Sequence, residues 1–182
     1  ATEIVKEHVS KEKYRIYSVG GDGTLNEVTN GMAGSDSELA VIPAGSGNDF
    51  IRSVTSEDPK KNIISRTIRG KAAPVDIVKV NDRYFINISS MGLDAEVAYF
   101  ANKLKETKFV PGFLSYYLGL ICTLVKCRSY HLKLIIDGKE VEEDALLVAV
   151  ANGRYYGKGI LPAPQAHFDD GLLDICLIEK KG

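Results

Sequence analysis

Gly20-Gly21-Asp22-Gly23-Thr24 sets three glycines around one carboxylate. Glycine lets a backbone approach a ligand closely and take positive φ. A helix that follows such a turn offers free N–H groups and the positive end of its dipole, which suits phosphate. A carboxylate inside a phosphate loop is repelled by phosphate. Asp22 makes sense there if a Mg²⁺ lies between the two, or if it handles a substrate proton. Thr24 can cap the helix or donate to a phosphate. The plainer alternative is a tight strand-to-helix turn with Asp22 and Thr24 as caps, which needs fewer glycines.

A second loop, Gly45-Ser46-Gly47-Asn48-Asp49, repeats the chemistry one strand later. Its small and polar side chains serve equally as helix caps or as ligand contacts. No GxxxxGK[ST] occurs, and Gly45-Ser46-Gly47 lacks the third glycine of a GxGxxG, so neither nucleotide mode is present. Asp169-Asp170-Gly171 puts two adjacent carboxylates in a turn, which suits a hard cation and an ordinary surface turn alike. Asn152 to Gly159 is glycine-rich, with two tyrosines and two cations, and reads either as a loop near a cleft or as a long hairpin. His8, His131 and His167 show no partner pattern.

The elements that must position these loops follow from periodicity. Tyr14 to Val19 reads as a strand entering the first turn, and a helix follows with Leu25, Val28 and Met32 on one face. Leu39 to Ile42 is a second buried strand entering the second loop. Residues 1–12 and Pro59 to Arg69 read as helices. Two strand–loop–helix units imply a parallel α/β sheet with its loops at the strands' C-terminal edge. From Pro74 the pattern changes. Val75 to Val80, Arg83 to Ser89, Tyr130 to Asp137, Lys139 to Glu143, Ala145 to Asn152 and Leu172 to Glu179 read as strands. Asn81-Asp82 and Asp137-Gly138 read as hairpin turns. Ala95 to Lys105 and Phe113 to Cys127 read as a helical insert. The expected architecture is an α/β lobe over 1–72 and a mostly antiparallel β lobe over 73–182.

Composition narrows the function. The chain has 182 residues and a net charge of -1, with no basic block to hold a nucleic-acid backbone. Its three cysteines, Cys122, Cys127 and Cys176, have no paired spacing, which fits a reducing cytosol. Val110 to Val125 is uncharged but falls short of the roughly 20 residues of a spanning helix. It reads as a buried helix that could also touch lipid, and no transmembrane span is expected.

The order of motifs resembles the diacylglycerol kinase catalytic domain family, which includes bacterial lipid kinases and sphingosine kinases. The resemblance rests on GGDGT and PAGSGNDF. It continues through Ala73-Pro74-Val75-Asp76, Tyr84-Phe85-Ile86-Asn87, Gly92-Leu93-Asp94-Ala95, Ala151-Asn152-Gly153 and Asp169 to Asp174. GGDGT alone is shared with NAD kinases and phosphofructokinases. The resemblance implies an ATP- and Mg²⁺-dependent kinase acting on a lipid hydroxyl, most simply diacylglycerol, with an α/β lobe and a β-sandwich lobe. It implies that Gly20, Gly21, Asp22, Gly23, Thr24, Leu25, Asn26, Glu27, Gly45, Ser46 and Asn48 hold the nucleotide. Asp22, Asp49 and Asp76 would form the catalytic acidic network, and Asp94 would meet the lipid headgroup. Asp169, Asp170 and the Leu172 carbonyl would hold Mg²⁺. The implied setting is cytoplasmic, at the inner membrane face, with a homodimer left open.

The family pattern also carries an Asn-Pro loop ahead of this chain's first helix and an acidic segment beyond its last strand. Neither is in the sequence, so the expectation is a polypeptide incomplete at both ends and weakly active alone. The rival readings are an NAD kinase-like enzyme with a soluble acceptor and a nucleotide-binding module without transfer. A phosphofructokinase-like reading fails for want of a basic sugar-phosphate pocket.

Overall fold

The computed structural model describes residues 1–55, 62–97, 99 and 129–180. Two compact units emerge. The first comprises Ala1–Ile88 with Ala151–Asp174, and the second Ser89–Val150 with Ile175–Gly182.

The first unit runs α1 (Thr2–Val9), β1 (Arg15–Gly20), α2 (Asp22–Met32), β2 (Glu38–Pro43), α3 (Asp49–Val54), α4 (Ile63–Arg69), β3 (Val78–Val80) and β4 (Arg83–Phe85). β1 and β2 are parallel, in register from Arg15 opposite Glu38 to Gly20 opposite Pro43. Parallel neighbours need a crossover, and α2 supplies it. The predicted apolar face of α2 is the one buried: Leu25, Val28 and Met32. Val28 and Met32 pack against Val5 of α1, with Ile16 and Leu39 beside them. Leu25 packs against Phe50 of α3 and Ile86, over Leu39, Val41, Val54 and Val75. This second cluster matters for function, because it fixes the start of α2 relative to the start of α3. Each of its buried large side chains contributes up to about 1.5–3 kcal/mol over an exposed position.

The second unit holds a four-stranded sheet of β5 (Ile88–Gly92), β6 (Tyr130–Ile136), β7 (Lys139–Ala151) and β8 (Asp174–Glu179). β7 is central, flanked by β5 and β6, and it also pairs β8. β6 and β7 form an antiparallel hairpin from Tyr130 opposite Ala145 to Ile136 opposite Lys139. Its turn takes Asp137 to φ 49° and Gly138 to φ 78°, the left-handed pair that a two-residue hairpin needs. The β3–β4 hairpin turns at Asn81-Asp82, where Asn81 alone is left-handed, at φ 52°. A parallel α/β arrangement in the first half and an antiparallel sheet in the second is the fold class read from the sequence.

Several boundaries shift. The strands expected over Lys139 to Glu143 and Ala145 to Asn152 are one, β7, which ends at Ala151. Asp144, the polar interruption between them, sits on the exposed face, with its carboxylate 3.0 Å from His131 on the paired strand. The strand expected from Val75 starts at Val78, because the Asp76 N–H donates to Phe168 O at 2.7 Å instead of to a ladder. β8 starts at Asp174, Leu172 being part of the preceding turn. Of the expected insert, residues 93–97 are helical. The Phe113 to Cys127 helix, most of Ala95 to Lys105, and Pro59 to Lys61 lie outside the described residues. So do Cys122, Cys127 and the Val110 to Val125 segment. Among the described residues, no helix is long and apolar enough to cross a membrane.

Candidate functional site

The parallel register brings β1 and β2 to an end side by side, so the two loops begin together. Gly20 O accepts the Ala44 N–H at 2.8 Å. One step on, the loops touch backbone to backbone: a Cβ on Gly45 would stand 2.3 Å from Gly21 Cα. No side chain fits between them.

Asp22 then binds one loop to the other. Its Oδ2 accepts the Asn48 N–H and its Oδ1 the Asp49 N–H, each at 2.9 Å. Asn48 is left-handed, with φ 56°, a conformation that asparagine tolerates well. Its amide closes the second loop from inside. Oδ1 accepts the Gly45 N–H at 3.0 Å, and Nδ2 donates to Gly45 O at 2.7 Å. The first N–H groups of α3 are therefore spent on Asp22. Among the described residues no side chain accepts the first N–H groups of α2, so these are not spent on a cap. The capping role open to Thr24 is not realised, and a Cβ on Gly20 would collide with the Thr24 hydroxyl at 2.4 Å. Gly23 is exposed, and a Cβ there would meet nothing within 4 Å. The start of α2 thus presents uncapped N–H groups and an open approach.

Asp49 is 4% exposed. Its Oδ2 accepts the Lys158 N–H at 2.8 Å, and Arg52 Nε lies 3.8 Å from Oδ1. Oδ1 is buried and makes no hydrogen bond. Burial pushes the Asp49 carboxyl above the usual carboxylate range. The Lys158 N–H opposes that shift, nearby Asp22 adds to it, and the Arg52 charge opposes it. A Cβ on Gly47 would sit 2.6 Å from Asp22 Oδ2 and 3.3 Å from Asp49 Oδ2, so a side chain at 47 would wedge between the two carboxylates.

A cavity of about 320 Å³ opens beside these groups, inside the first unit. Asp22, Leu25 and Asn26 of α2 line it, with Ser46, Gly47 and Asp49 of the second loop. Phe85 to Ile88 and Tyr156 to Lys158 complete the wall. Asn87 joins these last two stretches. Its carbonyl accepts the Asn152 and Gly153 N–H groups at 2.9 and 3.0 Å, and its Nδ2 donates to Tyr155 O at 2.8 Å. Behind them Asn152 is fully buried, and its Nδ2 donates to Asp76 O and Ile86 O at 2.9 and 2.8 Å.

The expected site residues therefore separate. Asp22, Leu25, Asn26, Ser46 and Asp49 share the cavity. Gly21, Gly45 and Asn48 build the loops around it. Glu27 does not line it and is exposed on α2. Asp76 also does not line it. Its Oδ2 accepts the Gly171 N–H at 2.8 Å, which places it with the Asp169–Leu172 turn. In that turn Asp170 Oδ1 accepts the Leu172 N–H at 3.0 Å, and Gly171 has φ 71°. Asp94 belongs to the second unit, where its Oδ1 takes the Ala95 N–H at 2.8 Å. Among the described residues, no three metal-ligating side chains come together. Lys158, Asn87 and Asn152 occur in the sequence motifs but receive no individual role from them. The glycine-rich run from 152 to 159 is the available signal: Tyr156 to Lys158 line the cavity, and in place of a long hairpin the described run holds a single antiparallel bridge between Tyr156 and Ile160.

A Mg²⁺ at Asp22 and Asp49 fits this donor set. Mg²⁺ keeps several waters and needs one or two carboxylates plus phosphates rather than a protein cage. Each Asp22 oxygen has one N–H and a spare lone pair. The Asp49 Oδ1 is an oxygen with no hydrogen bond.

Residues 1–80 match the diacylglycerol kinase catalytic domain. Residues 87–182, more than half of the chain, match the YegS C-terminal NAD kinase beta sandwich-like domain. The chain is similar to a diacylglycerol kinase of Bacillus subtilis, with 36% identity over 99% of this chain and 60% of that protein. It is similar to one of Staphylococcus aureus, with 33% identity over 96% of this chain and 56% of that one. A crystal structure described as a Bacillus anthracis diacylglycerol kinase superposes with a TM-score of 0.72 at 30% identity, covering 98% of this chain and 58% of that one. The chain thus spans no more than 60% of the length of these relatives.

Proposed function

The chain belongs to the diacylglycerol kinase family, its halves matching that family's catalytic domain and the YegS C-terminal domain, and from this premise we propose that its protein is a lipid kinase. It would transfer the γ-phosphoryl group of ATP to a lipid hydroxyl, with diacylglycerol as the first candidate acceptor and phosphatidic acid as product. The observation that carries this reading is the uncapped start of α2, open at Gly23 and beside a cavity lined by two carboxylates.

In this proposal the free N–H groups of Gly23 and Thr24, with Ser46 and Asn26, hold the phosphate tail. Gly20, Gly21 and Gly45 let the two loops close up beneath it. Asp22 and Asp49 would hold Mg²⁺, which neutralises phosphate charge when bound. Little covalent chemistry is asked of the protein in phosphoryl transfer, so rigid placement and electrostatics carry the rate. Asp22 is suited to placement because both of its oxygens are anchored. Asp76 would act through its tie to the Asp169–Leu172 turn, where Asp169, Asp170 and the Leu172 carbonyl form a second proposed cation position. Asp94 is proposed at the lipid headgroup. The lipid acceptor implies a protein that works at a membrane surface, and we place it at the cytoplasmic face.

The test is transfer of labelled γ-phosphate from ATP to diacylglycerol in mixed vesicles by the intact protein. Label extracted into organic solvent supports the proposal. Label retained in water on NAD would replace it with the NAD kinase-like alternative. ATP binding with no transfer to either acceptor would point to a non-catalytic nucleotide module.

A further inference from the structure

The loop that closes the cavity carries an unusual residue. Gly157, Lys158 and Gly159 are successively left-handed, with φ of 57°, 72° and 107°. Glycine accepts that conformation freely, whereas lysine does so at a cost. The loop is nonetheless fixed from both sides. Tyr156 and Ile160 exchange backbone hydrogen bonds at 2.9 Å each, and Asp49 holds the Lys158 N–H. Lys158 is thereby set at the cavity with Asp22, Ser46 and Gly47.

Its ammonium has no ion-pair or hydrogen-bond partner among the described residues, although two carboxylates line the same cavity. Both Asp22 oxygens and one Asp49 oxygen already accept backbone N–H groups. An unpaired cation on a strained, over-determined loop beside a polar cavity fits a ligand that brings its own negative charge. The magnesium complex of a triphosphate remains anionic, and a flexible ammonium serves such a tail as a point charge.

We infer that Lys158 is a binding residue for the phosphate tail of the nucleotide. This rests on the reading of the cavity as a nucleotide site. Lys158→Gly is the informative variant, because it removes the ammonium while relieving the backbone. Calorimetry on the intact protein with magnesium present, using ATP and adenosine as separate probes, tests the inference. Lys158→Gly should keep or raise the melting temperature, weaken ATP binding about tenfold and leave adenosine binding unchanged. ATP binding within about twofold of wild type would overturn the Lys158 assignment alone. An equal loss for adenosine and ATP would also overturn it, as a general disturbance of the loop. A wild-type protein that binds no ATP would overturn the nucleotide reading itself, and this inference with it.

Discussion

Gly21 and Gly45 meet across the two loops so closely that a Cβ on Gly45 would stand 2.3 Å from Gly21 Cα. Backbone lies on both sides of this contact, so no rotamer change can relieve it. Gly45→Ala should therefore push the loops apart and destabilise the fold by about 1–3 kcal/mol, the usual cost of overpacking. Urea denaturation measures it. A variant as stable as wild type would mean that the loops have slack.

Asn152 is the second structural test. Its amide satisfies the carbonyls of Asp76 and Ile86, from two separate connecting segments, while fully buried. Asn152→Ala strands both acceptors and leaves a void, at about 2–4 kcal/mol. Asn152→Asp should be worse at neutral pH, since it sets an acceptor against acceptors. Denaturation midpoints for both variants give the ranking, and the reverse order would contradict it.

Asp49 predicts a pH dependence with a definite sign. Its carboxyl is held above the usual range, chiefly by burial, so the ionised form costs stability in the folded state. That cost disappears as the pH falls through the raised folded value, and it is gone below the unfolded value of about 4. Asp49→Asn carries no such titration. The stability of wild type relative to Asp49→Asn should therefore rise as the pH drops from about 7 to about 4. Urea midpoints for both proteins across that range check this, and a flat or falling difference would contradict it.

Asp22 separates anchoring from chemistry. Asp22→Asn keeps one acceptor but turns an amide donor toward a backbone donor, at about 1–2 kcal/mol. The proposed role adds a second effect, loss of phosphoryl transfer far beyond the unfolded fraction. Activity assayed at a temperature where the variant is fully folded distinguishes the two. Retained transfer would reduce Asp22 to a strut.

Much of this was legible in the sequence, for physical reasons. Leu25, Val28 and Met32 mark the buried face of α2 because a crossover helix must cover its strands. Asn81 and Asp137-Gly138 name their hairpins because few residues accept left-handed turns. Legibility failed where side chains act over long separations. Nothing local says that Asp22 spends both oxygens on Asn48 and Asp49, or that Asp49 reaches Lys158. Asn152 could be quoted in a motif, yet its partners Asp76 and Ile86 are set by topology. Glu27 sits in the loop-following motif but is exposed, because helical spacing turns it away from the cavity. The compact units also defeat a linear reading, since the chain passes between them after Ile88, Val150 and Asp174.

The central claim is that the start of α2 receives phosphate, and Gly23 is the place to test it. Gly23 has open space where a Cβ would go and is exposed, so the fold itself should tolerate Gly23→Val. The measurement is calorimetric titration of ATP into the intact protein, with and without magnesium, for wild type and Gly23→Val. Magnesium-dependent binding by wild type, and at least about tenfold weaker binding by a variant with an unchanged melting temperature, is the result expected. No magnesium-dependent binding by wild type, or equal affinity in the two proteins, would contradict the account.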